Sequence, residues 1–167
     1  RDAQVFAAIA YEGVSDKPGE VHPGQFREHL EAMKKAGYVP ITLKDIEGLM
    51  HENKPLPRKA VLLTFDHARK TSYFNVHSML RKAGWNAVMF LWTKPVIEHD
   101  SAALLWPYVR SMVRSHIWEL GAQSHDGFSR IPIGPKGTLG NFMTSPKWLA
   151  DERRFESLEE FERRLTQ

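Results

Sequence analysis

The chain has 167 residues, of which 42% are hydrophobic and 11% aromatic, with a formal net charge of +3. This length and composition predict one globular domain that spans residues 1–167. No apolar run approaches the roughly 20 residues of a membrane span, and no basic stripe indicates a nucleic acid partner. Because cysteine is absent, disulfides and thiolate metal sites are excluded, and any metal would need His, Asp or Glu ligands.

Short apolar runs alternate along the chain with segments of helical periodicity. The apolar runs predict strands at 4–10, 39–41, 60–65, 86–92 and 118–124. Helices are predicted from Pro23 to a stop at Gly37, from a capping-box pattern at Thr42 and Asp45 to the residue before Asn53, and over 71–83, 104–113 and 157 onwards.

The strict alternation of strands and helices predicts a parallel sheet or barrel. Residues 126–150 carry Gly, Pro and Ser among isolated aromatic residues, which predicts a long loop. The helix from Ser157 has no strand after it in this sequence. We therefore expect the chain to be the N-terminal part of a longer domain.

The run 60–65 lacks alternation, which is typical of a parallel strand buried on both faces. It stops abruptly at Asp66 and His67. Ligands bind at the carboxyl ends of the strands in open α/β sheets and barrels, so this ionisable pair is a candidate site. Alternatively, Asp66 caps the helix that follows and His67 is a surface loop residue.

Three stretches resemble the polysaccharide deacetylases, carbohydrate esterase family four. They are Val61-Leu-Leu-Thr-Phe-Asp66 with its following small residue, Glu119-Leu-Gly-Ala-Gln-Ser-His125, and the preamble 25–38 with 41–45. The resemblance covers nearly the whole chain. It is greatest to the poly-N-acetylglucosamine deacetylases of biofilm export systems, which also carry a long loop and a helix similar to 148–165.

This resemblance implies a distorted (β/α)₇ barrel of the polysaccharide deacetylase type, here represented by its N-terminal part. It also implies an enzyme that removes N-acetyl groups from an amino-sugar polymer by metal-assisted hydrolysis. The implied cofactor is a divalent metal ion, zinc first, with nickel, cobalt or iron as alternatives. The implied setting is periplasmic or extracellular, with a polysaccharide as substrate and membrane association only through parts outside this chain.

Family residues transfer to this chain at a few positions. In the family motif Thr-Phe-Asp-Asp-Gly, the first acid is the catalytic base, which corresponds to Asp66. The second acid is a metal ligand, and His67 takes its place, followed by Ala68 instead of glycine. Imidazole is a good zinc ligand, so His67 is a candidate metal ligand.

The second family motif contains a pair of histidines four or five residues apart, and His125 matches its first member. Ser129 and Arg130 stand where the second histidine would be. A guanidinium cannot ligate a cation, which leaves His67 and His125 as predicted ligands and Asp126 as a possible substitute. The alternative function is therefore a catalytically impaired relative that still binds polysaccharide.

Two other features have ordinary interpretations. Tryptophans can stack on sugar rings, although they more often pack in a core or at its rim. Trp148, in the predicted loop, is the best candidate sugar platform among them. The charge-rich segment 152–164 is predicted to be a solvated helix face.

Overall fold

The computed structural model describes residues 5–166, so Gln4, the predicted start of the first strand, lies outside the described residues. The strands are β1 (Phe6–Tyr11), β2 (Val39–Pro40), β3 (Ala60–Phe65), β4 (Ala87–Trp92), β5 (Trp118–Ser124), β6 (Arg130–Pro132), β7 (Leu139–Asn141), β8 (Trp148–Leu149) and β9 (Arg154–Phe155). The helices are α1 (Pro23–Lys35), α2 (Leu43–Glu52), α3 (Lys70–Ala83), α4 (Thr93–Ile97), α5 (Trp106–Arg114) and α6 (Leu158–Thr166).

The main sheet is built around β3. Strand β1 pairs with β3 in parallel along its whole length, from Phe6 opposite Ala60 to Tyr11 opposite Phe65. The other edge of β3 is shared, because β2 pairs with its start and β4 with its end, both in parallel. Strand β5 follows β4 in the sheet order. The parallel sheet predicted from the strand and helix alternation is confirmed.

Every residue of β3 is buried. Val61, Leu63 and Phe65 belong to the larger hydrophobic cluster, whereas Ala60 and Leu62 belong to a smaller one that also contains Val88. Successive side chains of a strand point to opposite faces, so both faces of β3 contact apolar side chains. This explains the continuous apolar run in the sequence.

Local signals set the ends of the helices. The Thr42 hydroxyl accepts the Asp45 N–H at 3.1 Å, and the Asp45 carboxylate accepts the Thr42 N–H at 2.8 Å. This reciprocal pair confirms the predicted capping box at the start of α2. Gly37, just after α1, has a φ of 78°, and Gly84, just after α3, has a φ of 70°. Glycine adopts this left-handed conformation without steric cost.

The chain divides into two compact units, one ending at Gln123 and the other beginning at Ser124. The prediction of a single deacetylase-like domain over 1–167 stays a prediction. Among residues 5–166, no helix has the length and apolar character that a membrane crossing needs.

The second unit differs from the sequence prediction in two ways. The predicted loop 126–150 contains an antiparallel hairpin of β6 and β7 and also β8, which pairs with β9. The segment 152–164 is not wholly solvated. The Arg164 and Glu156 side chains are only 13% and 3% exposed and form an ion pair at 2.6 Å, because α6 packs this arginine against the preceding chain.

Candidate active site

Asp66 lies where the sequence predicts, directly after the carboxyl end of β3. Its N–H donates to the Tyr11 carbonyl at 3.1 Å, which continues the β1–β3 ladder by one bond. The side chain is half-buried. A carboxylate held at the end of a buried strand has a fixed backbone position and is still reachable by solvent, as a general base must be.

His67 and Ala68 make the turn from β3 into α3. Their φ angles are 66° and 50°, the left-handed region that non-glycine residues rarely adopt. Hydrogen bonds from two other parts of the chain hold this turn. The His67 N–H donates to the Gln123 side-chain oxygen at 3.1 Å, and the Leu104 N–H donates to the Ala68 carbonyl at 2.8 Å.

Arg69 ties the same turn to the loop between β1 and α1. Its Nη1 lies 3.3 Å from Glu20 Oε1, and the Glu20 side chain is only 10% exposed. The Ser15 hydroxyl donates to the other Glu20 oxygen at 2.5 Å. A buried carboxylate with two such partners is compensated. The loop that follows β1 is thereby attached to the turn that carries Asp66 and His67.

A cavity of about 180 Å³ opens beside this turn. His67, Arg69, Trp92 and Asp100 line it, with Pro95 and two alanines. The His67 and Trp92 rings meet edge to face, with centroids 6.0 Å apart. The cavity lies at the carboxyl ends of β3 and β4, the end of a parallel sheet where ligands bind.

His125 is exposed and belongs to the second unit. Its sequence neighbours are engaged in local structure there. The Ser129 hydroxyl donates to an Asp126 carboxylate oxygen, and the Arg130 guanidinium donates to the Leu139 carbonyl at 2.8 Å across the β6–β7 hairpin. Arg130, which stands at a position of the second histidine, therefore stabilises the hairpin.

The resemblance implies a metal ion. Whether the chain can bind one depends on how its His, Asp and Glu side chains are placed. Among residues 5–166, no group of three or more His, Asp or Glu side chains is placed to hold one. Catalytic zinc sites usually have three protein ligands. The described donors therefore do not fit a catalytic zinc site, and ligation by His67 and His125 stays a prediction.

Sequence reasoning did not single out Gln123, Trp92 or the pair of Glu20 and Arg69. Gln123 lies in the quoted motif, but its bond to the His67 backbone joins residues 56 positions apart. No local pattern reports such a contact. Trp148, the sequence-based candidate platform, has its ring against Phe155 at 5.1 Å within the β8–β9 pair.

Comparison with known proteins gives a consistent result. Residues 53–131 match the family model described as polysaccharide deacetylase. This range contains Asp66, His67 and His125. The poly-beta-1,6-N-acetyl-D-glucosamine N-deacetylase of Escherichia coli K12 is 26% identical over 96% of this chain. The chain spans only 26% of the length of that relative.

Solved structures show the same fold. A de-N-acetylase from Aggregatibacter actinomycetemcomitans has a TM-score of 0.83 at 21% identity, covering 96% of this chain and 69% of that one. The BpsB deacetylase domain from Bordetella bronchiseptica has a TM-score of 0.75 at 21% identity, covering 97% and 69%. The predicted fold class, α/β with a parallel sheet as in the polysaccharide deacetylases, is confirmed.

Proposed function

We propose that this chain is a member of the polysaccharide deacetylase family, because residues 53–131 match the model of that family, and that it hydrolyses N-acetyl groups of an N-acetylglucosamine polysaccharide. The observation that carries the proposal is the half-buried carboxylate of Asp66 at the carboxyl end of the fully buried strand β3. The family also favours a periplasmic or extracellular setting, which fractionation of cells that make the protein would test.

Asp66 acts as the general base in this proposal. It takes a proton from a water molecule as the water oxygen bonds to the acetyl carbonyl carbon. The carbon–nitrogen bond then breaks, and the products are acetate and an amine that takes up a proton. The turn through His67 and Ala68 positions this carboxylate, because its backbone is tied to β5 by Gln123 and to the segment before α5 by Leu104.

The test is the release of free amines from N-acetylglucosamine oligosaccharides. Asp66→Asn keeps the size of the side chain but removes the base, and we expect the rate to fall by about 10²- to 10⁴-fold. Asp151→Asn changes an exposed carboxylate of the second unit and is the matched control, with an unchanged rate expected. Equal rates for wild type and Asp66→Asn would contradict the assignment.

We propose separately that the protein binds a divalent ion, zinc first, and that His67, in the first unit, and His125, in the second, are each a candidate ligand. Elemental analysis of protein purified without chelator tests this. The expected result is about one equivalent in the wild type, and a lower content in His67→Ala or in His125→Ala identifies that residue as a ligand. The His51→Ala control, at an exposed position, should keep the metal. A wild type that holds no metal even after incubation with excess ion would contradict the proposal.

One observation favours a second candidate function. The described residues contain no group of three metal donors, and this would suit a catalytically impaired relative that binds polysaccharide. In that case the wild type would bind N-acetylglucosamine oligosaccharides and release no free amines. Amine release that depends on Asp66 would exclude this second function.

A further inference from the structure

The cavity beside the β3–α3 turn has walls of mixed chemistry. Trp92 ends β4 and is half-buried, and it contributes an aromatic surface. Arg69 and Asp100 contribute one positive and one negative charge, and His67 completes the wall. An aromatic surface with a few charged or polar groups around it is the usual composition of a small-molecule site.

The polar groups of this wall are held in place by contacts on the protein side. Arg69 is paired with Glu20 at 3.3 Å. An Asp100 carboxylate oxygen accepts the Ala102 N–H at 2.7 Å, and the Lys70 N–H donates to the Ala102 carbonyl at 3.0 Å. These bonds join the segment after α4 to the start of α3, so both sides of the cavity belong to one connected framework.

The charges and the size narrow the ligand class. With Arg69 and Asp100 both present, the wall does not select strongly for an anion or a cation, and both side chains can hydrogen-bond hydroxyl groups. Trp92 offers an apolar ring surface for the C–H face of a sugar. The volume of about 180 Å³ is below the roughly 300 Å³ of typical ligand pockets. It therefore suits one sugar ring and not a longer piece of polymer.

We propose that this cavity is a subsite for one neutral N-acetylglucosamine unit, adjacent in the polymer to the unit that is hydrolysed at Asp66. The substrate class rests on the proposed function. His67 directly follows Asp66 and forms part of the cavity wall, so the cavity opens beside the turn that carries the carboxylate. Trp92 packs on the ring, and Arg69 and Asp100 bind its hydroxyls.

The test measures binding in the absence of hydrolysis. The Asp66→Asn protein is titrated with N-acetylglucosamine and with its disaccharide and trisaccharide in a calorimeter. A subsite beside the reacting unit predicts tighter binding of the oligosaccharides than of the monosaccharide. Adding Trp92→Ala should weaken oligosaccharide binding about tenfold, as expected for one well-packed aromatic contact, and should remove the dependence on chain length.

Two further variants make the test secure. Asp100→Asn keeps an oxygen that can accept the Ala102 N–H. It should weaken oligosaccharide binding about two- to fivefold without changing the fold, since it weakens one hydrogen bond to the sugar. Phe74→Ala, which removes an exposed aromatic ring of α3 outside the cavity wall, is the control and should leave binding unchanged. Circular dichroism and a urea midpoint establish that each variant is folded.

The inference is overturned if the Trp92 and Asp100 variants keep both the affinity and the chain-length dependence, or if the parent binds no oligosaccharide. Amine release by the wild type separates this failure from failure of the proposed function. If the wild type releases amines but Trp92→Ala binds oligosaccharides as tightly as its parent, only the subsite is rejected. Binding that depends on Trp92 without any amine release supports a sugar site in the cavity but rejects the hydrolase, and with it the placement of the cavity beside a reacting unit.

Discussion

The backbone of His67 and Ala68 is left-handed at both residues, although neither is glycine. A left-handed conformation costs a non-glycine residue roughly 1–2 kcal/mol. The Ala68 side chain is fully buried, however, and one buried methyl group contributes about 0.8 kcal/mol. The two effects are of similar size, which explains how alanine is accommodated where the family motif has glycine.

Ala68→Gly should therefore change the free energy of unfolding by less than about 1 kcal/mol, because relief of the left-handed strain offsets the lost methyl. Ala68→Val should destabilise by more than about 2 kcal/mol, since a β-branched residue at positive φ in a fully packed position is doubly unfavourable. Urea unfolding measures both. A valine variant as stable as wild type would contradict this account of the turn.

His77 connects α3 to the core through the indole of Trp118, whose N–H donates to His77 Nδ1 at 3.1 Å. Burial lowers the pKa of His77 below its usual value, and Arg81 adds to the effect. The unfolded chain therefore binds more protons between the lowered pKa and about 6.5. Stability should fall as the pH drops through this window, where protonation also removes the acceptor.

The measurement compares urea midpoints at about pH 7.5 and pH 5. His77→Gln keeps a hydrogen-bond acceptor but cannot titrate, so it should lose less stability than wild type over this range, by up to about 1 kcal/mol. His51→Gln, at an exposed position, should behave as wild type. If His77→Gln loses as much stability as wild type, the titration of His77 does not contribute.

At the scale of single residues, the sequence located Asp66 and His67 at the end of β3 because a buried strand has a distinct pattern. The partners of these residues were not predictable. Gln123 and Glu20 reach the turn from distant parts of the chain, and hydrogen bonds of this kind leave no periodic signal.

At the scale of elements, strand β5 presents alternate residues on one face, and each contacts a different neighbour. A Glu119 oxygen accepts the Leu43 N–H at the start of α2 at 2.6 Å, and Gln123 binds the His67 backbone. Between them, Gly121 lies against Phe90 of β4. A Cβ built at Gly121 would lie 2.4 Å from two ring carbons of Phe90.

Gly121→Ala should consequently destabilise the fold by about 1–3 kcal/mol, the usual effect of overpacking. The change should be smaller in a Phe90→Ala background, since the clash is then removed, and a double-mutant cycle in urea measures the coupling. Gly134→Ala is the control, because nothing lies within 4 Å of the added carbon. Equal effects at 121 and 134 would contradict the proposed clash.

Elements with strong local signals were predicted well. The buried strand β3 and the capping box of α2 are encoded by adjacent residues. Helix α4, of 5 residues, was missed because it is too short to show periodicity and contains Pro95. The hairpin β6–β7 was missed for the same reason, as strands of 3 residues resemble a loop.

At the scale of the whole molecule, the two units are stabilised differently. The first has a large apolar core around β3. In the second, Arg164 of α6 is a central contact: it pairs with Glu156, donates to the carbonyls of Phe142 and Ser145, and lies over the Phe142 and Phe161 rings. The hydrogen bond with Arg164 lowers the pKa of Glu156.

Arg164→Lys should destabilise the protein by about 2 kcal/mol or more, because lysine keeps the charge but loses the bidentate bonds of a largely buried pair. Arg163→Lys, next to it and exposed, should change stability by less than about 0.5 kcal/mol. Urea unfolding followed by circular dichroism measures both. Similar small effects at the two positions would show that the Arg164 contacts are not important for stability.

The alternation of strands and helices predicted the main parallel sheet, because each buried strand and each amphipathic helix has its own period. The division at Gln123 and Ser124 was not predicted. It falls at the end of β5, where the change in composition from residue 126 onwards predicted only a loop and a family motif runs across the boundary.

The most direct test of the proposed function is the fate of the water oxygen. The protein is incubated with N-acetylglucosamine oligosaccharides in water enriched in oxygen-18, and the acetate is analysed by mass spectrometry. Hydrolysis with Asp66 as general base predicts acetate with one solvent oxygen, formed by the wild type and about 10²-fold or more slowly by Asp66→Asn. The account would be contradicted if the wild type formed no labelled acetate, or if Asp66→Asn formed labelled acetate at the same rate as the wild type.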